Sequence, residues 1–354
     1  MKRAGQLWDR LIGFENLHRA AQNAARGKRH RPDVAAFRFG IERELCKLQD
    51  ELHAKAYRPG GYRTFQVYEP KKRLISAAPF RDRVVHHALC QVLEPVFEPA
   101  FISDSYACRK GKGTHAAVDR FTEFVRGNRF VLKCDVSKFF PSVDHGILKS
   151  LIRRKIKDDR VMWLVDRIID GSNRQEPVTD WFFGDSLFAP LEHRRGLPIG
   201  NQTSQFFANV YLNPLDHFVK QTLRFRSYVR YVDDFVLLAD DTSVLDDARD
   251  ACREFLRSLR LKMHPRKCSI SRVEDGTPFL GYRVFPTHRF LCRENVIGMR
   301  RRLRRMQRGY AQGLLSPSDI RQRLMAWIGH AGHANTWRLR ARLFRETSFV
   351  RTVR

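Results

Sequence analysis

The sequence has no long hydrophobic run. None of its apolar segments approaches the roughly 18 residues that a helix needs to cross a bilayer. The first residues, Met1–Gly5, also lack the apolar block of a secretory signal. We therefore expect a cytoplasmic protein that has no membrane partner.

The sequence also has few acidic residues relative to basic ones, and its cysteines are scattered. Its 66 Lys and Arg against 38 Asp and Glu give a formal charge of +28, which favours a polyphosphate partner. Closely spaced cysteine pairs are typical of zinc sites and disulfide frameworks, and the seven cysteines include no such pair. The charge alone does not indicate catalysis, because structural RNA-binding proteins share it.

The dipeptide Asp233-Asp234 lies between two stretches rich in β-forming residues, Tyr228–Arg230 and Phe235–Leu238. This pattern predicts a β-hairpin with both acids at its bend. Adjacent ionised carboxylates repel each other unless a cation binds between them, and hard divalent ions prefer oxygen ligands. The pair is a candidate Mg²⁺ site, with a solvated turn as an equal alternative; we expect such a turn at Asp240-Asp241.

A third acid favours the metal site over the solvated turn. The segment Phe130–Asp135 has the pattern of a buried strand that ends in a carboxylate. If this strand pairs with the hairpin, Asp135 meets Asp233 and Asp234, as in polymerases that hold two ions roughly 3.5–4 Å apart. Such sites join nucleotides mainly by positioning and charge stabilisation.

Several motifs, in the same order along the chain, resemble those of reverse transcriptases. They are the basic segment Lys71–Ser76, the strand ending at Asp135, the turn Tyr231–Asp234, the segment Leu261–Lys267 and the turn Phe279–Tyr282. The resemblance implies an α+β, right-hand polymerase fold in three parts. These are an N-terminal helical extension (residues 1–60), fingers and palm with an antiparallel sheet packed on helices (residues 61–290) and a helical thumb (residues 291–354).

The resemblance also implies roles for individual residues. Catalysis would depend on Asp135, Asp233, Asp234 and Lys267, the last as the proton donor to departing pyrophosphate. Two Mg²⁺ ions, for which Mn²⁺ could substitute, would be held by Asp135, Val136, Asp233 and Asp234. The deoxynucleotide would contact Lys72, Arg73, Val136, Phe139, Phe140, Ile199, Gly200 and Gln205. Template RNA and cDNA would contact Arg81, Arg109, Lys110, Lys112, Leu280, Gly281, Arg301 and Arg305.

Some of these roles have a plainer alternative. Phe140, five positions after Asp135, matches the aromatic residue that excludes a ribose 2′-hydroxyl, which implies a preference for deoxynucleotides. Without that position relative to Asp135, we would place Phe140 in the core beside Phe139. A basic pair in a turn is usually just solvated, and a lone lysine such as Lys267 is usually a surface charge.

One stretch of the sequence resembles a particular group of reverse transcriptases. The chain carries Ile199-Gly200 and Ser204-Gln205 where many reverse transcriptases carry Gln-Gly and Ser-Pro. This version resembles the enzymes of diversity-generating retroelements, which copy a template RNA with errors at adenines. An aliphatic Ile199 in place of an amide removes a polar contact near the nascent base pair. That loss should weaken discrimination by about 1–3 kcal/mol.

The same resemblance implies the partners. They are template RNA, cDNA, deoxynucleotides and a basic oligomer of an accessory variability protein, in a bacterial, archaeal or phage-encoded system. Two alternatives stay open. One is a phage-defence reverse transcriptase with the same chemistry, and the other is a maturase-like RNA-binding protein that has lost catalysis.

Overall fold

Four helices form the N-terminal region of the computed structural model, which describes residues 3–68, 73–173, 175–176, 178 and 180–351. They are α1 (Trp8–Ile12), α2 (Phe14–Ala25), α3 (Pro32–Phe39) and α4 (Ile41–His53). Leu17, Ala20 and Ala24 recur at helical spacing and form the buried face of α2. This face packs against α5 (Phe80–Phe97), so the N-terminal helices belong to the main hydrophobic core.

A two-stranded antiparallel hairpin lies between α4 and α5. Its strands are β1 (Arg63–Val67) and β2 (Arg73–Ala77), with Arg63 opposite Ala77. Most of β1 is exposed, whereas β2 buries Ser76 against the rest of the molecule. The hairpin occupies the place along the chain where the fingers are predicted.

The central sheet has four antiparallel strands in the order β4-β5-β3-β6. The strands are β3 (Phe130–Asp135), β4 (Tyr228–Tyr231), β5 (Asp234–Ala239) and β6 (Ser269–Arg272). Side chains of a strand alternate between the two faces of its sheet. In β5, Phe235 and Leu237 therefore enter the main core, while Val236 and Leu238 enter a second core on the opposite face.

Helices cover both faces of this sheet. The main core includes α8 (His145–Arg153), α9 (Asp159–Asp170), α11 (Gln202–His217) and α12 (Thr242–Ser258). The short helix α7 (Phe139–Ser142) precedes α8, and α10 (Ala189–Glu192) lies between α9 and α11. The second core includes α6 (Thr114–Arg126), whose Phe121 stacks near Phe279. Burial on both faces explains why β3 and β5 consist mostly of apolar residues, whereas β6, at the edge of the sheet, is Ser-Ile-Ser-Arg.

The C-terminal region combines a small sheet with three helices. The sheet is β7 (Thr277–Phe279), β8 (Tyr282–Val284) and β9 (Arg289–Leu291), all antiparallel, and the helices are α13 (Arg293–Ala311), α14 (Pro317–Ala331) and α15 (Trp337–Arg345). Met299 and Leu303 of α13 join the second core. The predicted thumb boundary at residue 291 falls on the last residue of β9, two residues before α13 begins. Within the described ranges, no helix is both long enough and apolar enough to cross a membrane.

Candidate active site at the end of the central sheet

The three aspartates meet at one end of the central sheet. Asp135 is the last residue of β3 and lies opposite Asp234, the first residue of β5. Asp233 is in the two-residue turn between β4 and β5, since Tyr231 pairs with Asp234. The backbone N–H of Val136 donates to the carbonyl oxygen of Asp233 at 3.2 Å, which ties the end of β3 to this turn. The predicted meeting of the two segments is thus present.

The turn has a strained backbone that a buried arginine supports. Val232 has φ of +55°, a left-handed conformation that is unusual for a β-branched residue. Nη1 of Arg230 donates to the carbonyl oxygen of Val232 at 3.0 Å, and Nε and Nη2 donate to the carboxylate of Asp216 at 2.6 Å each. Arg230 and Asp216 are fully buried. The bidentate ion pair fixes the guanidinium, which in turn fixes the turn that carries Asp233.

The sequence analysis did not identify Arg230 or Asp216. One signal was available, because Arg230 is a charge inside a strand that is otherwise apolar and aromatic. A buried charge needs a partner, but the partner lies on α11 and could not be found from local pattern. Asn209 of α11 adds a further contact, accepting from Nη1 of Arg230 at 3.3 Å.

Two lysines face the carboxylates. Nζ of Lys267 donates to Oδ1 of Asp135 at 2.8 Å, and Nζ of Lys133 lies 3.7 Å from Oδ1 of Asp234. That Asp234 oxygen is buried and accepts no hydrogen bond from any residue that the structure describes. Buried acceptors are nearly always paired, so this oxygen is available to a bound cation.

Burial and mutual repulsion disfavour the charged form of the acids. Burial, together with a smaller effect of the nearby Asp135 and Asp234, raises the pKa of Asp233 to about 6, while a backbone hydrogen bond and Arg73 oppose the shift. Burial also raises the pKa of Asp234, against the opposing effect of Lys133. Both acids would gain from a bound cation, because it offsets the lost solvation and the repulsion.

The carboxylates at this site fit a metal ion that takes some of its ligands from the protein and the others from a substrate. In the described part of the chain, no three His, Cys, Asp or Glu side chains converge closely enough to form a metal cage of their own. Mg²⁺ usually binds one or two carboxylates and completes its shell with water and substrate phosphates. The carboxylates of Asp135 and Asp234 lie on paired strand residues, and a buried Asp234 oxygen accepts no hydrogen bond from the described residues. This arrangement matches that requirement.

The predicted nucleotide-binding residues lie on the elements around the aspartates. Arg73 is exposed at the start of β2, and Lys72 lies outside the described residues. The carbonyl oxygen of Ile199 accepts from the N–H of Ser76 at 2.9 Å, so the loop before α11 rests on β2. Gly200 has φ of +126°, and a Cβ there would lie 3.1 Å from the carbonyl oxygen of Ser76. Only glycine suits this close approach.

The first turn of α11 and the segment after β3 complete this surface. Gln205 is exposed on α11, and Phe140 is half-buried. Phe139, by contrast, is 2% exposed and packs on Phe140 and Tyr211, so its predicted contact with a nucleotide is wrong for the side chain. The Val136 side chain is buried as well, which leaves its backbone carbonyl as the only group able to reach a metal.

Two predicted nucleic-acid contacts need correction. The guanidinium of Arg109 donates to Glu98 and to two backbone carbonyls, and its side chain is 6% exposed. Arg109 therefore stabilises its own loop and is not exposed for binding a phosphate. Arg81 pairs with Glu51 and lies over the ring of Tyr57, which ties α5 to the N-terminal helices. Both arginines stabilise the fold through contacts that sequence spacing did not indicate.

The other predicted contacts lie on surfaces. Lys110 is exposed, and Lys112 lies over the ring of Tyr106 at 4.8 Å. Leu280 and Gly281 form the two-residue turn between β7 and β8, with φ of +49° and +89°. The Gly281 carbonyl accepts from Nδ2 of Asn295 at 3.0 Å, so α13 fixes this turn. Arg301 and Arg305 are exposed on α13.

Comparison with known proteins identifies the family. A family model described as "Reverse transcriptase (RNA-dependent DNA polymerase)" matches residues 66–284, a span that holds the three aspartates and Lys267. The chain belongs to this family. As a reverse transcriptase it is an RNA-directed DNA polymerase, and the predicted α+β, right-hand polymerase fold is confirmed.

The relatives of this reverse transcriptase include intron-encoded proteins. It is 30% identical to protein YkfC of Escherichia coli (strain K12) over 284 residues, which cover 68% of the chain and 71% of YkfC. It is 26% identical to group II intron-encoded protein LtrA of Lactococcus lactis subsp. cremoris over 183 residues, which cover 51% of the chain and 29% of LtrA. Nuclear intron maturase 1 of Arabidopsis thaliana is 26% identical over 214 residues, covering 49% of the chain and 29% of that protein. The chain thus spans under a third of the last two.

Proposed function

We propose that this reverse transcriptase is the error-prone polymerase of a diversity-generating retroelement, and that it makes cDNA by two-metal nucleotidyl transfer. The observation that carries the catalytic part is the pairing of Asp135 with Asp234 beside the turn that holds Asp233. The motif around Ile199 carries the narrower assignment.

The proposed mechanism divides the work among a few side chains. Asp135, Asp233 and Asp234 would hold Mg²⁺, or Mn²⁺ in its place. The bound metal would lower the pKa of the primer hydroxyl and neutralise charge on the triphosphate. Arg73 is near enough to Asp233 to lower its pKa, which supports the proposed role of its guanidinium in binding the triphosphate. Nζ of Lys267, 2.8 Å from Oδ1 of Asp135, would donate a proton to departing pyrophosphate.

Ile199 is the proposed source of low fidelity. Its backbone is fixed to β2 by the hydrogen bond from Ser76, while its side chain is half-buried and has no polar group. A wrong base pair therefore loses no hydrogen bond at this position. Discrimination that depends on such a bond weakens by about 1–3 kcal/mol when the bond is absent.

The proposal includes partners and a setting. Template RNA and cDNA would lie across the basic surface, and an accessory variability protein would bind as an oligomer. The setting would be the cytoplasm of a cell that carries a bacterial, archaeal or phage-encoded retroelement. Intron-encoded proteins and maturases among the relatives favour one alternative, a maturase-like RNA-binding role. A phage-defence role would keep the same chemistry, and neighbouring genes would distinguish it.

Primer extension followed by cDNA sequencing tests the proposal. The protein should extend a primed RNA with deoxynucleotides, with errors concentrated opposite template adenines. Ile199→Gln should lower those errors by about 5- to 150-fold, the equivalent of 1–3 kcal/mol. Ile199→Val keeps the aliphatic character and serves as the matched control, with errors unchanged.

Each contrary outcome points to a different alternative. Adenine errors that Ile199→Gln leaves unchanged would remove the role of this residue. Accurate extension by the parent would favour a reverse transcriptase of another kind. Tight RNA binding without extension would favour the maturase-like protein.

A further inference from the structure

A groove of about 890 Å³ lies between β9 and α15, apart from the carboxylates and the predicted duplex contacts on α13. Its lining includes Phe290, Leu291, Trp337, Arg338, Arg340 and Arg342. It holds no acidic side chain among its lining residues. The groove thus combines aromatic rings with positive charge.

The aromatic rings of the groove are unusually exposed. Phe290 is 45% exposed and Trp337 is 73% exposed. In β9, Phe290 points away from the core, because its neighbour Leu291 is buried and strand side chains alternate. The Phe290 ring is in T-shaped contact with His288 and Phe285, and the rest of it is exposed. Large, partly exposed aromatic side chains are typical of binding surfaces.

The arginines of the groove are unpaired, unlike those of α12. On α12, Arg249, Arg253 and Arg257 each form an ion pair with an acid one turn away. Among the described residues, no carboxylate forms an ion pair with Arg338, Arg340 or Arg342. Nε of Arg340 is buried and makes no hydrogen bond within the described ranges. The positive charge on α15 is therefore available to an anionic ligand.

The backbone at the start of α15 adds to this potential. Thr336 precedes the helix, but its hydroxyl donates to the carbonyl of Ala331 and caps no N–H of α15. The first residues of the nine-residue helix, Trp337, Arg338 and Leu339, line the groove. The N–H groups at the start of a helix and the helix dipole favour phosphate.

One side of the groove is linked by a hydrogen bond to the turn between β7 and β8. Cys292, directly after β9, donates its N–H to the carbonyl of Gly281 at 2.9 Å. On the other side, Asn335 donates its N–H to the carbonyl of Arg289 at 2.8 Å, which fixes the loop before α15 against β9. The Leu280-Gly281 turn and the strand on one side of the groove are thus joined by a backbone hydrogen bond directly after β9.

We propose that this groove binds unpaired nucleotides of an RNA strand, with bases stacked on Phe290 and Trp337 and phosphates held by Arg338 and Arg342. The proposal rests on the proposed function, since it assigns a site for RNA outside the base-paired template. Stacking on exposed rings needs free base faces, which a duplex does not offer, and a positive groove without acids disfavours a basic protein partner.

Binding of a labelled single-stranded RNA of about twelve nucleotides tests the site. Trp337→Ala and Phe290→Ala should each weaken binding by about 5- to 150-fold, the equivalent of 1–3 kcal/mol per stacked base. The double variant Arg338→Gln with Arg342→Gln should reduce the slope of log affinity against log salt by about 1.4, for two phosphates at about 0.7 each. Both aromatic positions are exposed, so these variants should fold.

Matched controls lie elsewhere on the surface. Trp181→Ala removes an aromatic side chain that is 48% exposed, and Arg253→Gln with Arg257→Gln removes two arginines that are already paired. Both control variants should bind the single strand like the parent. Extension of a primed RNA with a short unpaired flank should be unchanged in the Trp181→Ala protein.

Three results would overturn the proposal. They are unchanged single-strand binding in the groove variants, an equal loss for a fully paired duplex, and a loss confined to self-association or protein binding. The proposed function is tested separately by extension in the parent. A parent that binds the single strand through the groove but fails to extend refutes only the polymerase assignment, and the reverse result refutes only the groove.

Discussion

The two ends of β5 carry the same dipeptide, Asp-Asp, in opposite physical states. At its start, burial raises the pKa of Asp233 to about 6 and also raises the pKa of Asp234. At its far end, Asp241 accepts from the N–H and hydroxyl of Ser243 and caps α12, and these hydrogen bonds lower its pKa. Asp240 accepts from the N–H of Arg129 at 3.0 Å.

The difference shows what distinguishes a binding site from a turn. The downstream acids have their hydrogen bonds supplied by the chain, so they stabilise the fold as anions. The upstream acids lie beside Asp135, and lysines are nearby. Even so, a buried oxygen of Asp234 accepts no hydrogen bond from the described residues. Functional sites commonly contain charged groups that are unfavourable in the free protein, because a bound ligand offsets their charge.

Removing an acid from the upstream pair should have the largest effect. Asp234→Asn should reduce Mg²⁺-dependent primer extension by more than about a thousandfold, because it removes an anionic metal ligand at the reacting centre. Asp241→Asn keeps a capping side chain and should extend within about twofold of the parent. Equal activity of the two variants would remove the distinction between the ends of β5.

The second-largest effect should come from removing the buried ion pair of Arg230 with Asp216, which supports the turn. Arg230→Met leaves the Asp216 carboxylate buried and unpaired, which should lower the free energy of unfolding by about 3–5 kcal/mol. Adding Asp216→Leu should restore most of that stability, since an apolar pair can replace a buried ion pair. Extension should stay impaired in the double variant, because no group then holds the Val232 carbonyl. Denaturant unfolding and extension rates check both parts, and full recovery of activity would contradict the positioning role.

A smaller effect should appear in the stability of the metal-free protein. The pKa of Asp233 rises from 3.8 to about 6 on folding, so its contribution favours the fold at low pH and is lost as pH rises through 6. Asp233→Asn should therefore raise the free energy of unfolding by roughly 1–3 kcal/mol at pH 7 to 8, after allowance for solvent screening. Urea unfolding in a chelator checks this. A loss of stability in this variant would contradict it.

The smallest effect should come from the downstream cap, and its pH dependence should have the opposite sign. Since folding lowers the pKa of Asp241, its stabilisation is present at neutral pH and is lost as pH falls through that lowered value. Asp241→Ala should cause a small drop in melting temperature at pH 7, and the drop should vanish in acid. Melting curves across pH check the sign.

Much of the palm could be predicted from sequence. The strand Phe130–Asp135 is present with the predicted bounds. The hairpin is present with longer strands than predicted, Tyr228–Tyr231 and Asp234–Ala239, so that Asp233 lies in the turn and Asp234 begins the second strand. Alternating faces and β-forming residues specify these strands locally. The meeting of Asp135 with the hairpin could also be predicted, since a carboxylate at the end of a buried strand is unfavourable without a binding partner. Resemblance to a family supplied the order of the motifs.

The contacts of individual arginines could not be predicted. Arg109 and Arg81 belong to basic segments that look alike in sequence, yet each is paired with a glutamate from another element, Glu98 or Glu51. Arg230 is hidden for the same reason, because its partner is on α11. A cation is free or paired depending on tertiary neighbours that are distant in sequence.

Metal-dependent binding of the next deoxynucleotide tests the central claim most directly. The parent, on a primed RNA whose primer end is blocked so that no bond forms, should retain the complementary deoxynucleotide when Mg²⁺ is present and release it when a chelator is added. Asp234→Asn should not retain it under either condition, and Asp241→Asn should behave like the parent. Retention that is independent of Mg²⁺, or equal in the Asp234→Asn protein, would contradict the assignment of the Asp135, Asp233 and Asp234 cluster as the cation site.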